Sequence, residues 1–112
     1  MFEMNPEAEV RIYTKPMDLR KGARGLLAII QTQIRATIWN GDLFVFFNRH
    51  CSLVKIIFWD GTGFMVCTKR LLKGRFVNLF QDIEGDSIYL SQEQMRILLS
   101  GATLKKILSV QK

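Results

Sequence analysis

The sequence predicts an α+β domain: an antiparallel sheet of four to six strands, with one long helix after the first strand and one or two C-terminal helices. Three observations carry this reading. Strand-like runs, alternating or wholly apolar, recur at residues 10–15, 43–48, 53–59, 64–70 and 87–90. Apolar residues repeat at helical spacing after the first of these runs and again near the C-terminus. Asn40-Gly41 and Asp60-Gly61 mark turns, the second between two strand patterns, as in a hairpin. The 112 residues suit a single domain, divided into an acidic N-terminal segment (1–9) and the domain proper (10–112).

In residues 10–15, Val10, Ile12 and Thr14 alternate with Arg11, Tyr13 and Lys15, and Pro16 ends the run. Asp18 then stands as N-cap of a helix over 19–34, whose face is Leu19, Ala23, Leu26, Leu27, Ile30 and Ile34. At 100° per residue, Arg20, Arg24, Gln31 and Arg35 fall together on one flank, with Lys21 just beyond. Gly22 and Gly25 each cost a helix interior roughly 1 kcal/mol relative to alanine, so close packing on a sheet or the approach of another backbone is expected there. Residues 43–48 are apolar almost throughout, as in a central strand covered on both faces. Residues 48–52 join this run to 53–59 in antiparallel fashion, and 60–63 join 53–59 to 64–70. Gly74 opens a further short run over 75–80. After an acidic loop at 81–86 comes a last strand at 87–90, and Ser91 with Gln94 forms a capping box for a helix that buries Met95, Leu98 and Leu99 and stops at Gly101. Residues 104–110 add one or two amphipathic turns.

Hydrophobic residues are 48% of the chain, which excludes a disordered tail. No apolar run approaches the ~20 residues of a membrane span. The start MFEMNPEAE lacks the basic-then-apolar order of a signal peptide, so a cytoplasmic setting is expected, with Cys51 and Cys67 as free thiols. Catalytic constellations are missing. His50 is the single histidine, adjacent to Cys51 and Ser52 in a way that does not make a triad. Cys51 and Cys67 have no C-x-x-C spacing, so neither a metal nor another cofactor is expected. A metal-dependent nuclease needs several converging carboxylates. The basic region offers Asp18, which reads as a cap, Asp60, which reads as a turn residue, and Asp42.

The net charge of +6 is unevenly spread: −3 over residues 1–10, +9 over 11–75 and zero over 76–112. A basic excess confined to the middle of the chain points to a polyanion, most often nucleic acid, against the alternative of a merely solubilising surface. One cluster is Arg20, Lys21 and Arg24 at the helix start, where free N–H groups and cations favour an anion; the alternative is pairing with Asp18 or with Asp82, Glu84 and Asp86. A second is Lys69, Arg70, Lys73 and Arg75, four cations in seven residues with no acid nearby in sequence. Arg49, His50 and Lys55 form a looser third. Among the aromatics, Phe44, Phe46 and Phe47 read as core, Trp59 and Phe64 as a cross-strand pair, and Trp39 as exposed.

Four blocks, in order and at compatible spacing, resemble the Orf2-like (TnpB) accessory family of the insertion-sequence-66 bacterial transposons. They are Pro16, Asp18, Arg20, Lys21, Gly22, Gly25 and Leu26; Leu43 to Phe46 followed by Arg49 and Lys55; Trp59, Asp60, Gly61, Gly63 and Phe64; and Lys69, Arg70, Leu71, Gly74, Arg75 and Phe76. The likeness runs from about Val10 to Gly101. It departs at Arg49-His50, where the family has a longer basic pair, and at Leu72, where an acidic residue is usual. The resemblance implies a non-enzymatic factor in transposition, beside a separate transposase that holds the catalytic carboxylates. The expected partners are DNA at the transposon ends and the element's other proteins, without a membrane. Arg20, Lys21, Arg24, Arg49, Lys55, Lys69, Arg70, Lys73 and Arg75 are the candidate phosphate contacts. The alternative is a protein-interaction module whose basic surface docks on an acidic patch of the transposase.

Overall fold

The computed structural model describes residues 5–80 and 84–109. Its strands are β1 (Val10–Tyr13), β2 (Leu43–Phe47), β3 (Leu53–Trp59), β4 (Phe64–Arg70) and β5 (Ser87–Leu90), in one five-stranded sheet of order β4-β3-β2-β1-β5. Three pairings are antiparallel: β2–β3 and β3–β4, as their short connections predict, and β1–β5, which no turn signal announces. The β1–β2 pair is parallel, so the sheet is mixed. The reason is the helix between them: a strand that returns through a crossover helix comes back in the same direction.

That helix runs from Leu19 to Ile34 in three pieces: a 3-10 turn (Leu19–Lys21), α1 (Gly22–Ile29) and a π turn (Ile30–Ile34). Asp18 caps it, accepting from the Arg20 N–H at 3.0 Å. Close packing does not explain the glycines. Gly22 is needed for its φ of +72°, where the 3-10 turn hands over to α1, and a Cβ there would meet nothing within 4 Å. A Cβ on Gly25 would meet the Lys21 Cβ at 2.7 Å, a neighbour on its own helix rather than the sheet. The handover and the π turn also break the 100° register that would align Arg20, Arg24, Gln31 and Arg35.

β2 is central and buried along its whole length, its side chains alternating between two cores. On one face, Phe44, Phe46 and Ile57 pack with Leu26, Ile30 and Ile34 of the long helix. On the other, Val45, Phe47, Val54 and Phe58 pack with Met95 and Leu98 of α2 (Gln92–Leu99) and Ile107 of α3 (Leu104–Leu108). Residues 75–80 form no strand. They cross this second face as an extended connection, with Phe76 and Leu79 plugged into the core and the Phe76 N–H bonded to the Cys51 carbonyl at 2.9 Å. The capping box forms as predicted: Ser91 Oγ accepts from the Gln94 N–H at 3.0 Å, and Gln94 Oε1 from the Ser91 N–H at 2.9 Å. Gly101, at φ +88°, stops α2. Asp82 and Val110 lie outside the described residues.

Candidate nucleic-acid interface

A groove of about 950 Å³ opens at the end of the sheet where β2 finishes and β3 starts. Three separate stretches of sequence meet there. Residues 16–20 form one wall, tied to the sheet by the Met17 N–H, which donates to the Phe47 carbonyl at 3.0 Å. The β2–β3 connection forms the second, with Arg49 and His50 at its exposed tip. β3 and β4 supply the floor, with Lys55, Thr68 and Arg70 on the helix-side face.

The connection is held rigid by one side chain. Asn48 Oδ1 accepts from the Ser52 and Leu53 N–H groups at 2.9 and 3.1 Å, while its Nδ2 donates to Ser52 Oγ at 2.8 Å. Cys51 takes the left-handed φ of +55° that closes the loop, and burial pushes its thiol pKa up while nearby Arg75 pulls it down. On the opposite wall, Arg20 donates through Nε and Nη2 to the Asp18 carboxylate, at 2.9 and 2.8 Å. These bonds and the Arg20 N–H hold Asp18 well below the usual carboxylate range and raise Arg20. An anion at the helix start is therefore supplied by the chain itself. Lys55 Nζ donates to the Leu19 carbonyl at 2.7 Å, which leaves two of its three donors to face the groove.

Arg20, Arg49, Lys55 and Arg70 thus converge, together with His50, which the candidate set omits. Lys21, Arg24, Lys69, Lys73 and Arg75 do not line the groove. Lys69 and Arg70 separate because adjacent strand residues face opposite ways: Arg70 pairs with Leu53 on the helix side, and Lys69 with Val54, whose side chain enters the other core. Arg75 lies close enough to Cys51 to lower its thiol pKa against the effect of burial. Among the described residues the salt bridges are Lys15–Asp86 at 2.6 Å, Arg20–Asp18 and Arg96–Glu93, so Arg49, Lys55 and Arg70 are in none of them.

The carboxylates of the basic region have structural partners. Asp42 accepts from the Glu9 N–H at 3.0 Å and from Asn40 Nδ2 at 3.0 Å; Asp60 accepts from the Thr62 and Gly63 N–H groups, both at 2.9 Å, which lowers its pKa. Among the described residues no group of three or more His, Cys, Asp or Glu side chains could hold a metal ion, and no helix is long and apolar enough to cross a membrane. Cys51 and Cys67 are free cysteines.

A family model described as IS66 Orf2-like protein matches residues 8–109. Two relatives from Sinorhizobium fredii are similar over most of their length: uncharacterized protein y4jC, 33% identical over 92 residues (82% of this chain, 77% of the relative), and uncharacterized protein y4hO, 39% identical over 101 residues (90% and 86%). No solved structure matches significantly.

Proposed function

The chain belongs to the IS66 Orf2-like family, and from that premise we propose that it is a non-enzymatic accessory factor in DNA transposition that binds the phosphates of transposon-end DNA through this groove while assisting a separate transposase. The observation that carries the reading is the convergence of Arg20, Arg49, Lys55 and Arg70, from three separate stretches of the sequence, onto one concave surface. Cations far apart in sequence have no local reason to gather, and gathering them costs self-repulsion that a polyanion would relieve. The contacts are to phosphates, so they set position and affinity rather than sequence choice.

Four phosphate contacts give a salt dependence of affinity with a logarithmic slope between about −3 and −4, at −0.9 per contact. Filter retention of labelled transposon ends and random duplex at two salt concentrations measures it, with and without the transposase. The double replacement of Arg49 and Arg70 by Glu is expected to abolish retention. Retention that is absent at low salt, together with transposase capture lost in the same double variant, would instead establish the basic surface as a protein-docking face.

A further inference from the structure

The opposite end of the sheet, where β1 and β2 begin, β3 finishes and β4 starts, has the reverse character. There Trp39, 60% exposed, stands in the connection before β2. It packs edge-on to Trp59 at 5.0 Å and lies 5.6 Å from Phe64, with Trp59 and Phe64 themselves 5.0 Å apart. Beside this cluster is a hollow of about 310 Å³ whose single charged lining residue is Asp60. The Glu9 N–H bond to Asp42 brings residues 5–9 to this end, where Asn5 lines the hollow. Asp42 and Asp60 are in none of the salt bridges among the described residues, and neither are Glu7 and Glu9, which line a separate hollow beside β5. The connection's own cation is Arg35.

An exposed indole face attracts cations through its ring quadrupole, tryptophan most strongly, and neighbouring carboxylates add to the same sign of preference. They repel a polyanion. They also disfavour a symmetric pair of copies, in which this acidic face would meet itself. The chain already seats one of its own guanidiniums in this way, with Arg11 lying 4.0 Å over the Tyr89 ring. We propose that the Trp39–Trp59–Asp60 end binds an arginine-bearing cationic segment of a partner protein, a guanidinium over Trp39 and against the Asp60 carboxylate. The inference is independent of the DNA reading. The two ends are separated by the length of β3, six steps of about 3.3 Å or about 20 Å, so both can be occupied at once.

The test titrates the full chain with a blocked peptide of four arginines alternating with glycine, and with the same peptide carrying neutral citrulline in place of arginine. Indole N–H resonances in two-dimensional NMR report on both tryptophans. The expected result is a saturable shift of the Trp39 and Trp59 signals with the arginine peptide, at least tenfold weaker with citrulline and at least tenfold weaker in Asp60→Asn. In Trp39→Ala the Trp59 signal is expected to stop responding. Shifts confined to other residues, or affinity unchanged by both variants, would overturn the proposal. So would a response produced instead by a single-stranded oligonucleotide, which would make Trp39 a base-stacking platform, or by raising the protein concentration alone, which would make the occupant a second copy.

Discussion

Asp18 does two things at once: it caps the long helix and neutralises Arg20 at the groove wall. Its folded pKa is depressed, chiefly by the hydrogen bond from the Arg20 side chain. The stabilisation it brings is thus complete above the unfolded carboxylate value of about 3.9 and is lost only as pH falls through the lower folded value. The clamp on Arg20 therefore persists through mildly acidic conditions. Asparagine also caps helices, so Asp18→Asn should leave the fold intact while removing a negative charge from the groove. Removing a like charge from the groove wall is expected to tighten DNA retention severalfold at low salt; unchanged retention would place bound DNA away from this wall. Lys69 and Arg70 allow a sharper comparison. Arg70→Glu should weaken retention much more than Lys69→Glu, because strand alternation turns only the former into the groove. Four cations in seven residues read as one cluster in the sequence, and the strand period of two divides Lys69 from Arg70 within it.

At the scale of elements, the strands and both capped helices are legible because their signals are local. The apolar run of β2, the Asp-Gly turn and the Ser91–Gln94 box each need only a few neighbouring residues to be understood. The parallel β1–β2 pairing is not local: it follows from where the crossover helix deposits the chain, and no single residue announces it. The run at 75–80 misleads for a related reason. Its apolar residues serve the core, as Phe76 and Leu79 do, without a neighbouring strand edge to bond to. The long helix illustrates the limit of periodicity, since Gly22 resets its phase. The backbone region at φ +72°, ψ −170° is essentially confined to glycine and costs a residue with a Cβ roughly 1–3 kcal/mol, so Gly22→Ala should lower unfolding free energy by about that amount in urea titrations, although the space beside it is open. Asn48→Ala should act differently. It removes the acceptor that fixes two loop N–H groups, at about 1 kcal/mol for each partly buried bond. It should also weaken DNA retention without changing any charge, because Arg49 and His50 ride on that loop.

The whole molecule is organised around a strand buried on both faces, with opposite charge at the two ends of the sheet. Phe46 is fully buried at the centre. Its replacement by alanine should cost about 3–5 kcal/mol, a large share of the roughly 5–15 kcal/mol that holds a domain of this size, and should show as a matching fall in the urea midpoint. The candidate site is partly legible in the sequence: the charge asymmetry confines the basic excess to residues 11–75, and the clusters read within it include all four groove cations. Their selection from nine depends on the Pro16 segment, the β2–β3 loop and β4 meeting at one edge, which is tertiary information. β1, finally, is the strand that joins β2 to β5. It is synthesised before the other four strands and its outer partner is synthesised last of the five, so a nascent chain keeps one side of β1 bare until residues 87–90 emerge. Premature products that end before Ser87 would retain that bare edge, and they should be the fraction of any expression culture that aggregates or is degraded.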